Sequence, residues 1–81
     1  MLYSAQIRAA RALLGWSQGD LARKAGVGAA TVQRLESGQG IVSGQVSTVV
    51  RVQEALEAAG ARFLAADDTG GVGVRLRKLA P

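Results

Sequence analysis

The segment 15–38, GWSQGDLARKAGVGAATVQRLESG, constrains the fold more than any other part of the chain, because it predicts two short helices joined by a glycine turn. Ser17 is a favourable N-cap residue, and Asp20 follows where a carboxylate suits both a capping box and the helix dipole. Gly26 favours the left-handed conformation that ends a helix and turns the chain. A second helix is therefore expected to begin near residues 28–29.

The second of these helices is predicted to have one apolar and one polar face. Val32 and Leu35 point inward, since successive residues in a helix are rotated by about 100°. The outward face carries the side chains of Ala30, Gln33, Arg34 and Ser37. This face is available to lie in a groove of a partner molecule.

This segment resembles the helix-turn-helix of phage repressor and Cro proteins, also called the xenobiotic-response-element type of bacterial regulator. The resembling positions inside it are Gln18, Leu21, Ala22, Gly26, Val32, Leu35, Glu36 and Gly38, and Arg11 and Leu14 fit the preceding helix. Together with a following helix over residues 48–56, the resemblance covers roughly residues 4–60. It implies a mainly α, lambda-repressor-like domain of four to five helices that binds double-stranded DNA.

Composition limits the alternatives. The chain of 81 residues is expected to form one domain with a small core, and association with a second copy would help to stabilise it. It contains no Cys and no His, so disulfides, zinc fingers and histidine catalysis are excluded, and no metal site or cofactor is expected. We find no signal peptide and no apolar stretch long enough to cross a bilayer, so we expect a cytoplasmic protein that associates with the nucleoid by binding DNA.

Charge is distributed unevenly along the sequence. Residues 1–53 carry six Lys and Arg against two Asp and Glu, whereas residues 54–81 carry four of each kind. A polyanion such as DNA is the partner that this excess predicts, because neutralising phosphates releases counterions. A solvated basic surface is the alternative interpretation of charge alone.

A first helix is predicted over residues 4–14, with Ile7, Ala10, Arg11 and Leu14 on one stripe. An arginine among core residues needs a partner, because an unpaired buried charge is costly. The resemblance suggests that Glu36 is this partner. Trp16 is expected to cover the small core.

The second half of the chain is predicted to contain a loop, a helix and a hairpin. Residues 38–45 form the loop, and the valine-rich residues 46–59 form the helix because strong helix formers follow the valines. Residues 61–65 and 72–76 are expected to pair as a β-hairpin. We therefore divide the chain into a DNA-binding domain, residues 1–60, and a C-terminal hairpin and tail, residues 61–81.

The hairpin needs a surface to pack on, because an isolated hairpin is barely stable in water. It could cover the fourth helix or join a second copy, and we favour dimerisation. The residues expected at that interface are Phe63, Leu64, Val72, Val74 and Leu76.

The resemblance also implies which residues meet DNA. They are Ser17, Gln18, Ala29, Ala30, Thr31, Gln33, Arg34 and Gln39. The amide of Gln18 would donate to a phosphate, while its oxygen would hold the second helix of the motif, the recognition helix. The alanines would contact thymine methyl groups, and Gln33 and Arg34 would read adenine and guanine, or Arg34 a phosphate. In the long loop, Gln39, Ser43 and Gln45 compete for the backbone contact.

The favoured hypothesis is a repressor that binds a palindromic operator as a homodimer through the major groove. The alternative is an antitoxin or a heterodimerising regulator whose tail binds a toxin or a related regulator. No catalytic residues are expected, because the acidic pairs fall on a helix surface and in a turn.

Overall fold

The computed structural model describes residues 2–78, which form four helices followed by a two-stranded antiparallel sheet. The predicted mainly α fold with a C-terminal hairpin is confirmed. Residues 79–81, the end of the predicted tail, lie outside the described part. The elements are α1 (Ser4–Leu14), α2 (Gln18–Ala25), α3 (Ala29–Glu36), α4 (Val46–Ala58), β1 (Ala61–Leu64) and β2 (Gly73–Leu76).

Capping defines α2 as the sequence predicts. The Ser17 hydroxyl accepts from the Asp20 amide at 3.0 Å, and the Ser17 amide donates to the Asp20 carboxylate at 2.9 Å. The bond from the Ser17 amide, together with bonds to the carboxylate from the Arg23 and Ser17 side chains, lowers the pKa of Asp20 below its ordinary value. Gly26 ends the helix with φ 69°, a left-handed conformation that costs glycine little.

One core joins all four helices and the first strand. Its fully buried large side chains are Ile7, Leu21, Val32, Val52 and Leu56. Burial of Val52 and Leu56 shows why the valine-rich segment is a helix, since both lie on its inner stripe. This helix ends at residue 58, one residue earlier than predicted.

The loop between α3 and α4 is fastened to the N-terminal segment. The Ser4 amide donates to the carbonyl of Gly40 at 3.0 Å, and the Val42 amide donates to the carbonyl of Leu2 at 2.8 Å. Val42 is buried in the core. The loop is therefore anchored at its middle, on either side of the bridge between Tyr3 and Ile41.

The hairpin closes over one side of α1 and touches α4 through β1. Its strands are each one residue shorter than predicted, and Phe63 pairs with Val74. Gln6 of α1 holds the hairpin, because its side-chain amide donates to the carbonyls of Leu64 at 3.1 Å and Gly73 at 2.8 Å. The Gln6 oxygen accepts from the Tyr3 amide at 2.8 Å, so one buried side chain caps α1 and holds the sheet.

No helix in the part of the chain that the structure describes has the length and apolar character needed to span a membrane.

Candidate nucleic-acid interface

The outer face of α3 forms a continuous exposed surface. Ala29, Ala30, Gln33 and Arg34 are exposed and Thr31 is half-buried, whereas the other side of the helix is buried in the core. Arg34 donates to the Thr31 hydroxyl at 3.3 Å, which places both polar groups side by side. The first two residues of the helix carry only methyl groups, so a partner can approach the backbone there closely.

A polar cleft lies between α3 and the start of α4. Thr31 and Arg34 line one side of it, and Ser43, Gln45 and Thr48 line the other, around a volume of about 370 Å³. Three loop residues were candidates for a contact with the DNA backbone. Two of them, Ser43 and Gln45, lie beside the exposed face of α3. Gln39 is exposed but does not line this cleft.

Arg11 of α1 holds the last residue of α3. Its Nε lies 2.8 Å from one carboxylate oxygen of Glu36 and its Nη2 lies 3.0 Å from the other, an arrangement that is both charged and bidentate. The Glu36 side chain is only 2% exposed, and that of Arg11 is 22% exposed. Hydrogen bonding to Glu36 raises the pKa of Arg11 above its ordinary value. The third nitrogen of Arg11 donates to the Trp16 carbonyl at 2.9 Å.

Gln18 also binds Glu36, with the opposite polarity from the one predicted. Its amide nitrogen, not its oxygen, contacts the recognition helix, donating to Glu36 Oε1 at 3.1 Å. The physical reason is that an ionised carboxylate only accepts hydrogen bonds, so a glutamine beside it must turn its donor inward. The Ser17 hydroxyl is engaged in the cap of α2 and the side chain is exposed beside this contact.

Arg8 is a residue of this region that the sequence did not reveal. It donates from one guanidinium nitrogen to the main-chain carbonyls of Glu36 and Gly38, the latter at 3.0 Å. Its spacing of three residues from Arg11 places both arginines on the same side of α1. That spacing is the signal that could have identified it.

The residues predicted for dimerisation divide into two groups. Phe63 and Val74 are half-buried and pack against the core of their own chain. Leu64 and Leu76 are exposed by 42% and 41%. Val72 lines an open apolar groove of about 590 Å³ between α1 and β2, together with Leu13 and the alanines of α1.

Comparison with known proteins agrees with this geometry. A family model described as Helix-turn-helix matches residues 7–49, which is more than half of the chain and runs from α1 into α4. A search of curated proteins found no match to the chain.

Proposed function

The chain belongs to the Cro/C1-type helix-turn-helix family of DNA-binding transcriptional regulators, and on that premise we propose that it is a repressor that binds a palindromic operator as a homodimer. The observation that carries the proposal is the exposed face of α3 within a segment that the family model covers. In this family fold, the second helix of the motif enters the major groove and its N-terminal residues approach the bases. We propose that the protein acts in the cytoplasm, on the nucleoid.

On bound DNA, the residues of α3 take different roles. Gln33 and Arg34 read base edges, with Arg34 matching guanine or a phosphate. Thr31 serves a base or a phosphate beside them, and Ala29 and Ala30 contact thymine methyl groups. Since two alanines supply no hydrogen bonds, part of the specificity comes from the shape and deformability of the DNA.

Phosphate contacts flank the reading face. Ser17 and Gln18 meet the backbone at the start of α2, and Gln39 meets it from the loop after α3. Gln18 keeps one amide hydrogen for a phosphate, because a primary amide has two and Glu36 takes one. The positive excess of residues 1–53 supports binding to a polyanion.

We assign DNA binding to residues 1–60 and assembly to residues 61–81 together with α1. Arg8 and Arg11 point from α1 toward α3, whereas Ala9 and Leu13 line the groove about 150° away around the same helix. Helix axes pack about 9 Å apart and a helix with side chains has a radius of about 5–6 Å. With a two-fold axis at the groove, α3 lies from that axis at about the sum of these two distances. Two copies of α3 would therefore be separated by about 30 Å, close to one DNA turn of about 34 Å.

Repression is the regulatory outcome that needs the fewest additional features of the protein. A dimer that covers a promoter excludes other proteins from it without any further surface. The antitoxin or heterodimer alternative is favoured by the same apolar groove, which a different protein could occupy in place of a second copy.

Selection of bound duplexes from a random pool tests the DNA half of the proposal. We expect a palindrome with half-site centres about one helical turn apart to be enriched. A pool that stays flat would refute sequence-specific binding and indicate a protein that binds DNA by shape. Arg34→Ala should relax one base position in the enriched site if Arg34 reads guanine, and weaken all sequences alike if it contacts phosphate.

Sedimentation at micromolar concentration tests assembly. Deleting the hairpin is unsuitable, because Ala61 is 1% exposed in the core. Leu13→Glu, which puts a charge in the groove, should give a monomer, whereas Val50→Glu, at a similarly exposed position on α4, should remain dimeric. A wild-type monomer that binds one half-site specifically contradicts the homodimer. A dimer that survives Leu13→Glu leaves the groove free and favours the heterologous partner.

A further inference from the structure

The recognition helix α3 ends differently from the two helices before it. Helices α1 and α2 stop at Gly15 and Gly26, which have φ values of 70° and 69° and satisfy the last carbonyls through their own amides. The residue after α3 is Ser37, in the ordinary right-handed conformation with φ −78°. Helix α3 therefore lacks the left-handed glycine cap that ends α1 and α2.

Side chains add to the main-chain bond that the Ser37 amide makes to the carbonyl of Arg34 at 3.3 Å. The Ser37 hydroxyl donates to the carbonyl of Arg34 at 2.9 Å. From outside the helix, Arg8 donates to the carbonyl of Glu36 and to that of Gly38 at 3.0 Å. Carbonyls at a helix C-terminus have no partner within the helix, and a cation there also interacts favourably with the helix dipole.

Arg8 and Arg11 thus hold the same residue by different groups. Arg11 binds the Glu36 carboxylate, and Arg8 binds the Glu36 main chain. Together they fix both the side chain and the backbone at the end of α3 onto α1. The carboxylate alone would hold the helix through a flexible side chain.

Holding the C-terminal end controls where the N-terminal end lies. Helix α3 has eight residues and is about 12 Å long at 1.5 Å per residue. A tilt of about 10° about its C-terminal end would move its first turn by about 2 Å, enough to lose the van der Waals contact of the Ala29 and Ala30 methyl groups with bases. In this fold, the first turn is the part nearest the base edges.

We propose that Arg8 is a positioning residue for DNA recognition: it sets the angle of α3 by binding the carbonyls at its C-terminal end, and does not bind phosphate. This inference rests on the proposed sequence-specific function. Its consequence is that Arg8 contributes to the preference for the operator over other DNA, while contributing little to the affinity that all DNA shares.

Arg8→Met tests this, because it keeps an apolar stem and removes the donors. Arg62→Met is the matched control, since Arg62 is exposed on β1 and its replacement removes the same charge. The probes are the duplex enriched from the random pool and a scrambled duplex of equal length, titrated over a range of salt concentrations. Both variants are first checked for wild-type circular dichroism.

We expect Arg8→Met to lower the ratio of affinities for the two duplexes about tenfold, the size of one lost base contact, and Arg62→Met to leave it unchanged. On the scrambled duplex, the salt dependence of Arg8→Met should equal that of Arg62→Met. A proportional loss on both duplexes, with a salt slope lower by about 0.9 than in the control, would show a phosphate contact and overturn the proposal. If Arg8→Met does not fold, Arg8→Lys replaces it; positioning then predicts a reduced ratio, and a phosphate contact predicts a wild-type one.

Amide hydrogen exchange provides a measurement that does not depend on the operator. Without Arg8, the amides of residues 34–38 should exchange faster than in Arg62→Met, because the last turn of α3 loses its external hydrogen bonds. Unchanged exchange at residues 34–38 overturns the positioning role, whatever the result of the DNA titrations. Absence of any preferred duplex for the wild-type protein refutes the proposed function instead.

Discussion

Gln6→Glu is the substitution that most directly tests how the hairpin is held. Gln6 is 4% exposed and makes three hydrogen bonds, one through its oxygen and two through its amide nitrogen. Glutamate has the same shape and its first oxygen can still accept from the Tyr3 amide. Its second oxygen, however, would face the carbonyls of Leu64 and Gly73, so two attractive contacts become repulsive.

The expected loss follows from the bonds involved. Two donated bonds contribute about 1 kcal/mol each, and leaving the second oxygen of a buried carboxylate without a donor costs about 1–3 kcal/mol more. The total is about 3–5 kcal/mol, a large part of the roughly 4–12 kcal/mol expected for a chain of 81 residues. We therefore expect the Tm to fall by about 15 °C or more.

The loss should depend on pH with a definite sign. Burial and the facing carbonyls raise the pKa of the introduced carboxyl in the folded protein. A group whose folded pKa is raised binds its proton more tightly when folded, so folding is penalised at neutral pH and the penalty fades on acidification. Below the unfolded glutamate pKa, a protonated carboxyl can donate to one of the two carbonyls.

Urea denaturation followed by the fluorescence of Trp16, the only tryptophan, measures this effect. Each variant is compared with wild type at the same pH, near 7 and near 4, so that other titrations cancel. Gln33→Glu is the control, an exposed change on α3 that should cost less than about 0.5 kcal/mol. If Gln6→Glu stays within about 1 kcal/mol of wild type near pH 7, Gln6 does not hold the hairpin in the way described.

Three further outcomes are expected. Arg11→Ala should lower the free energy of unfolding by about 3–5 kcal/mol in the same urea assay, because it leaves the buried Glu36 carboxylate without its cation; an unchanged midpoint contradicts this. The pKa of Asp20 is lowered, so its contribution to stability is complete above the unfolded value and is lost as pH falls through the folded one. Asp20→Asn should remove this acid sensitivity, and a wild-type stability profile between pH 5 and 2 in that variant counts against the Ser17 capping box. Arg34→Ala should weaken binding to the enriched duplex by about 1–3 kcal/mol in a fluorescence titration without changing the Tm; equal binding excludes Arg34 from the interface.

The sequence predicted those parts of the fold that local chemistry determines. The bounds of α2 follow from Ser17 and Gly26, whose cap and turn need only neighbouring residues. The strong helix formers that follow the valines identified α4 as a helix. Such features depend on interactions within a few residues, which a sequence displays directly.

Long-range contacts to the main chain could not be predicted in this way. The partners of Arg8 and Gln6 are backbone carbonyls, which every residue carries, so nothing in the sequence marks Glu36, Leu64 or Gly73 as acceptors. From the charges in a sequence, an arginine is expected to pair with a carboxylate and not with a main-chain carbonyl. The orientation of Gln18 was wrong for a related reason, since amide polarity is decided by the group that it meets.

The bonds from Gln6 to the hairpin determine how late during synthesis the fold can be completed. They join residues 58 and 67 positions apart, whereas most contacts in a helical domain are local. On a ribosome, which makes the N-terminal part first, α1 emerges long before the strands that cover its side, and that side stays exposed until residues 61–76 have left the exit tunnel. Folding of the helices α2 and α3 can therefore begin early, but the domain gains its full stability only after the hairpin has also been synthesised.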